Sequence, residues 1–239
     1  MKHGLRVIPD PIGRLGGGGL SVVGGGGAAA VPWWATGLAA TSDCVGAYLA
    51  KGAASLAASY VNLASPGTHD LTASVAPTFD AATGWTLNGL SQYLITDIVP
   101  GANYSAFVQF GSLVFAGAAD QVLFGCYDGA GPTHFQVEQY LPTNAVYYNN
   151  SNQDVVTPLL TGGNLGITNR CYRNGVIDSG ASFDAISCAQ PIFIGAKNNT
   201  GSSVLFVKGN ISAFAIFKVI HPDPAALYAE MNRVANVGG

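Results

Sequence analysis

The sequence predicts an all-β protein, an antiparallel β-sandwich with an extended glycine-rich N-terminal arm and a short C-terminal helix. Three observations carry this. From Phe79 onward, short apolar runs recur at a spacing of about 8–12 residues, broken by Gly, Asn and Pro, which is the pattern of a sandwich. Asn174-Gly175, led in by Tyr172-Arg173 and out by Val176-Ile177, is a hairpin signal, because a two-residue type I′ turn needs positive φ at both central positions. The last run, Lys208 to Phe217, is apolar on both faces: Ile211, Ala213, Ala215 and Phe217 alternate against Ser212, Phe214 and Ile216. A strand apolar on both sides belongs between two layers.

Taken in order, residues 1–34 read as the arm and 35–239 as the sandwich. Leu5, Val7 and Ile8 suit a short strand or extended segment, ended by Pro9-Asp10-Pro11. Gly16 to Gly19 and Gly24 to Gly27 flank Leu20, Val22 and Val23. Glycine this dense loses too much backbone freedom to hold an element alone. An ordered arm therefore needs a neighbouring subunit, with Leu5, Val7, Ile8, Leu20, Val22, Val23, Trp33 and Trp34 as its assembly contacts. Next, Leu49, Ala53, Leu56 and Tyr60 have helical spacing, which predicts a helical turn near Ala53 to Ser59, followed by a strand over Tyr60 to Leu63. Trp85 to Gly89 and Gln92 to Ile95 read as a first strand pair. Tyr104, Ala106, Val108 and Phe110 share one face of the next strand. Val122, Phe124 and Cys126 alternate against Leu123, Gly125 and Tyr127, and Phe135, Val137 and Gln139 against Gln136, Glu138 and Tyr140. Ala145 to Tyr148, Asn164 to Thr168 and Pro191 to Ala196 supply further strands. Asp223 as N-cap and Pro224 at the first helical position open a terminal helix with Leu227, Met231 and Val234 on its apolar stripe.

The segments Phe79 to Thr96 (FDAATGWTLNGLSQYLIT), Tyr104 to Phe110, Gln121 to Tyr127, the Tyr-x-Asn-Gly-Val hairpin, Ile192-Phe193-Ile194-Gly195-Ala196 and Gly209 to Phe217 carry a resemblance. In this succession they resemble laminin-G-like, concanavalin A-like jelly rolls over residues 60 to 236. The compact form behind an Ala/Gly-rich leader resembles versions found in bacteriophage structural proteins. The resemblance implies a sandwich whose terminal helix closes one edge.

Composition narrows the function. Charged residues make up 10% of the 239 residues, against about 25% in an average soluble domain. So sparse a charge implies association within a larger assembly. The net charge is −3, and ten Lys and Arg are scattered without a basic stripe, so nucleic acid is not an expected partner. No run of about 18 apolar residues is present, so no membrane span is expected. Cys44, Cys126, Cys171 and Cys188 lack metal-binding spacing and read as free, buried thiols. Pro9, Asp10 and Pro11 interrupt any signal-peptide core.

Catalytic patterns are absent. Glu138 and Glu230 are the only glutamates, and Gln136 and Tyr140 occupy the positions two away from Glu138, so the paired carboxylates of a glycosidase are missing. Glu138 reads as an outward polar residue of an exposed strand. His3, His69, His134 and His221 are isolated, and there is no Gly-x-Ser-x-Gly. Calcium, which concanavalin A-like relatives hold at a rim, has Asp120 and Asp128 as its weak candidates. An extended strand between them sets them roughly 25 Å apart. A glycan would find rings and amides at Tyr147, Tyr148, Asn149 and Asn150, and amides at Asn198 and Asn199.

These observations give a non-enzymatic virion structural protein, of phage type, assembled in the host cytoplasm as a homo-oligomer. Its arm would bind other virion proteins, and its sandwich would serve decoration or attachment to a host-surface glycan. The alternative is a soluble carbohydrate-binding module, and a glycoside hydrolase is a distant third. No cofactor is expected.

Overall fold

The computed structural model describes residues 31–115, 120–129, 133–149, 155–156, 158–178 and 187–237. The chain divides into two compact units, Met1–Ala30 and Val31–Gly239, and every described residue lies in the second. Leu5, Val7, Ile8, Leu20, Val22 and Val23 of the expected arm thus lie outside the described residues.

Two sheets form the expected sandwich. In chain order the strands are β1 (Cys44–Leu49), β2 (Thr78–Asp80), β3 (Gly84–Asn88), β4 (Leu94–Ile95), β5 (Ser105–Gly111), β6 (Gln121–Tyr127), β7 (His134–Tyr140), β8 (Ala145–Tyr148), β9 (Val155–Val156) and β10 (Gly163–Ile167). After them come β11 (Cys171–Arg173), β12 (Val176–Ile177), β13 (Phe193–Ile194), β14 (Lys197–Asn199), β15 (Ser202–Val204) and β16 (Lys208–Phe217). The helices are α1 (Leu56–Ser59) and α2 (Pro224–Val237). The first sheet runs β12-β11-β10-β5-β16-β3-β2. β16 is long enough to take β3 along its first half and β1 along its second. The second sheet runs β15-β14-β6-β7-β8-β9, and β13 links β4 to β6. Among the described residues all strand pairs are antiparallel except β14 with β6.

The main core fills the space between the sheets. Phe214 of the first sheet packs on Phe124 of the second at 5.3 Å and on Tyr48 of its own at 6.3 Å. Polar tips of buried rings are matched: the Trp85 indole donates to Ser59 Oγ at 2.8 Å and the Tyr48 hydroxyl to the His69 carbonyl at 2.6 Å. The four cysteines are free and buried. A second core lies on the outer face of the first sheet, where Leu227 and Met231 of α2 meet Phe107, Ala213, Ala215, Phe217 and Trp33. The helix thus covers a face, where the resemblance implied an edge. Asp223 caps it, accepting from the Ala226 amide at 3.0 Å. No helix among the described residues is long and apolar enough to cross a membrane.

Five local expectations are corrected. Residues 44–49 form β1, so the helical spacing from Leu49 holds only over α1. Tyr60 to Leu63 is no strand. The buried Asn62 ties that turn instead, accepting from the Ala47 and Ala64 amides and donating to the carbonyls of Val45 and Thr68. The segments 85–89 and 92–95 do not pair with each other. Asn88 Oδ1 accepts from the amides of Leu90, Ser91 and Gln92, and the chain crosses from β3 in the first sheet to β4 in the second. The faces of β16 also switch. A bulge between Ile211 and Ala213 puts Ile211 into the main core with Phe214 and Ile216, leaving Ala213, Ala215 and Phe217 to the outer core. A similar bulge in β6 brings Leu123 into the main core beside Phe124.

Candidate functional site

Strand alternation builds a polar and aromatic surface on the outer face of the second sheet. In β7, Phe135 and Val137 enter the core, so His134, Gln136, Glu138 and Tyr140 point away from it. In β8, Val146 and Tyr148 point in and Tyr147 out. Cys126 points in, so its neighbours Gly125 and Tyr127 point out. Asn198 of β14 pairs with Cys126 and shares its inward side, leaving Lys197 and Asn199 outward. The register then sets Lys197, Gly125 and Gln136 in one row, Asn199, Tyr127 and His134 in the next, and Glu138 opposite Tyr147.

Two stacked ring pairs bracket the carboxyl. Tyr127 and His134 stack at 4.1 Å, with Lys197 Nζ 5.1 Å from the Tyr127 ring centre. Tyr140 and Tyr147 stack at 4.3 Å. Along β7 the two pairs start about 20 Å apart, at roughly 3.4 Å per residue. Between them Gln136 Nε2 donates to Glu138 Oε2 at 2.7 Å. Gly125 makes the centre of the face passable: a Cβ there would come within 2.4 Å of Gln136 Cβ.

The electrostatics are unusual for an outward face. Glu138 is 6% exposed. Burial pushes its carboxyl up to about 7, against the opposing pull of the Lys197 ammonium. Burial likewise lowers the pKa of Lys197, with Glu138 opposing it. His134 is held below the ordinary imidazole value by burial first and by Lys197 second. Gln136 lies beside His134, yet Gln136 Oε1 and His134 Nδ1 are both buried without a hydrogen bond of good geometry. A displaced carboxyl, a lysine and a histidine thus share one half-enclosed polar cluster, an arrangement that binding and catalytic sites often have.

Of the residues singled out in the sequence, Tyr147 and Asn199 lie on this face. Others are corrected. Tyr148 is fully buried in the core, and its hydroxyl donates to Asp178 Oδ2 at 2.7 Å, the same oxygen that takes Arg173 Nε at 2.9 Å. Asn198 is buried too, donating to the Pro191 carbonyl and accepting from the Gly201 amide. Asn149 is buried at the end of β8, in the left-handed region at φ 60°, with its amide on the Gln136 carbonyl. Adjacent strand residues point to opposite faces, so Tyr147 and Tyr148 cannot form one platform. Asn150 lies outside the described residues. Glu138 is outward as expected but buried. Trp33 is buried in the outer core with Trp34 packed against that core.

The calcium candidates serve turns. Asp120 accepts from the Leu141 amide at 3.0 Å, and Asp128 takes the Thr133 hydroxyl. Among the described residues no group of three or more His, Cys, Asp or Glu gathers. Sequence reasoning missed Tyr127, His134, Gln136, Tyr140 and Lys197 as site residues. The available signal was the unbroken polar set at alternate positions of β7.

No protein-family model matches the chain, and no curated protein matches it in sequence. Solved structures do match. A mutant of Trypanosoma rangeli sialidase displaying trans-sialidase activity shares 13% identity at a TM-score of 0.53, covering 82% of this chain and 34% of that one. Trypanosoma rangeli sialidase in complex with sialic acid shares 10% identity at a TM-score of 0.54, again over 82% of this chain and 34% of that one. Domain 4 of AbnA, an extracellular arabinanase of Geobacillus stearothermophilus solved with arabinotriose, shares 14% identity at a TM-score of 0.47, covering 79% of this chain and 98% of that one. The chain therefore has a concanavalin-like β-sandwich fold and spans about a third of the length of the sialidases it matches. The expectation of a non-enzymatic protein is corrected here. The two sialidase structures that share its fold over 82% of the chain are enzymes. None of these three structures is a virion protein, so the phage role expected from the sequence has no counterpart among them.

Proposed function

We propose that the chain is the glycan-recognising β-sandwich of a carbohydrate-acting protein, and that sugar is held on the outer face of the second sheet around Glu138. The observation that carries this is a buried carboxyl, hydrogen-bonded by Gln136 and displaced to about 7, set between two stacked ring pairs. Sugar hydroxyls both donate and accept, and the imperfectly paired Gln136 Oε1 and His134 Nδ1 are polar atoms they could engage. Near neutrality the Glu138 carboxyl both donates and accepts, since it titrates there. Tyr140 and Tyr127 offer ring surface to the apolar side of a sugar. Lys197 adds the positive charge that an acidic sugar requires. The likeness to a sialidase solved with sialic acid supports sialylated glycans as the first to try.

A glycan array that includes sialylated chains, followed by calorimetry on the best ligand, tests this. Tyr140→Ala and Lys197→Ala should each weaken binding about tenfold, equivalent to about 1.4 kcal/mol. Failure to bind any glycan, or variants that bind as tightly as the parent, would overturn the assignment. Following the same glycans for released sugar separates binding from hydrolysis. Hydrolysis lost in Glu138→Gln would identify the proton donor.

A further inference from the structure

The opposite outer face of the sandwich holds a second polar depression, a cavity of about 220 Å³. It lies between the end of α2 and the strands β5 and β16. Gln109 of β5 and Asn210 and Ser212 of β16 floor it, Lys51 and Thr83 rim it from two turns, and Asn236 closes it from the helix. The floor is built by side-chain bonds. Thr86 Oγ1 donates to Asn210 Oδ1 at 3.1 Å, and Ser212, at the β16 bulge, donates from Oγ to the Gln109 carbonyl at 3.2 Å. Asn236 is steadied by donating to Asn232 Oδ1 at 3.0 Å. Gly111 keeps the interior open, with nothing within 4 Å of where a Cβ would stand.

Two features specify what would fill it. Gln109 Oε1 is buried with no hydrogen-bond partner, so it calls for a donor. Lys51 carries the single charge among the lining residues, and it is in no ion pair among the described residues. The cavity is smaller than the roughly 300 Å³ at which drug-sized ligand sites begin. We propose that this cavity is a second binding site, taking a sugar acid, a single hydroxylated ring bearing a carboxylate. Ring hydroxyls donate to Gln109 Oε1 and exchange hydrogen bonds with the amides of Asn210 and Asn236, while the carboxylate meets the Lys51 ammonium. The site does not depend on the function assigned to the Glu138 face.

Titrating the ¹⁵N-labelled full chain with D-glucuronate, D-glucose and sodium acetate tests it, because each of the latter two carries half of the required chemistry. Glucuronate should shift the side-chain amide signals of Gln109, Asn210 and Asn236, with at least about tenfold higher affinity than glucose or acetate. Lys51→Gln should reduce glucuronate to the affinity of glucose. Gln109→Ala should weaken glucuronate and glucose alike, with the spectrum itself reporting whether each variant is folded. Absence of glucuronate shifts at these amides, equal binding of all three probes, or shifts at Gln136 in place of Gln109 would each overturn the proposal.

Discussion

At the scale of single residues, Glu138 and His221 pull the stability of the sandwich in opposite directions with pH. Glu138 sits on the outward side of a strand, yet its burial raises the carboxyl from 4.5 to about 7. A carboxyl raised on folding favours the folded state fully below 4.5 and loses that contribution as pH rises through 7. The size is at most about 3 kcal/mol. His221, packed edge-on against Phe107 and Phe217, is driven by burial down to about 4, so its stabilisation is lost as pH falls from 6.5 toward 4. The parent curve superposes both, and Glu138→Gln isolates one. Urea unfolding at pH 4 and at pH 8 should show the variant near parity with the parent at the lower pH and more stable by up to about 3 kcal/mol at the higher. Parallel curves for the two proteins would show that Glu138 is solvated in the folded state.

At the scale of elements, close approach between β5 and β10 fixes the outer core. Gly166 pairs with Phe107, and a Cβ at Gly166 would stand 2.1 Å from the Phe107 ring. That ring cannot retreat freely, because Tyr172, Phe217 and His221 hold it at 6.2, 6.2 and 5.7 Å. Gly166→Ala should therefore cost about 1–3 kcal/mol in denaturant unfolding. An unchanged midpoint would mean that Phe107 turns aside without loss. The Asn174-Gly175 hairpin was legible in the sequence, and the structure gives both residues positive φ, at 51° and 76°. The β16 and β6 bulges were not legible. A bulge inserts one residue against a partner strand, and the partner is unknown until the strands pair. The same applies to β3 and β4, which neighbour each other in sequence and separate in space.

At the scale of the whole molecule, the second compact unit begins at Val31, and Trp33 is part of its outer core. A chain cut to residues 31–239 should unfold cooperatively. A chain cut to 35–239 should be weaker by about 3–5 kcal/mol, the usual loss for a buried Trp removed from a core. Equal stability of the two pieces would show that Trp33 is not integral to the sandwich. The scarcity of charge is also read at this scale. Two cores, one between the sheets and one beneath α2, account for much of the apolar sequence within a single unit.

The sequence by itself determined many of the strand positions from Trp85 onward, the alternation that splits β5 and β7 into inward and outward sets, the hairpin and the capped terminal helix. These depend on local periodicity and turn chemistry, which neighbouring residues decide. Only the tertiary structure decided that Glu138 is buried while facing outward, that Tyr148 and Asn198 belong to the core, and that His134, Gln136, Tyr140, Tyr147 and Lys197 meet on one face. Burial and charge coupling are set by residues brought together from β6, β7, β8 and β14, and strand pairing across tens of residues leaves no mark in any local pattern.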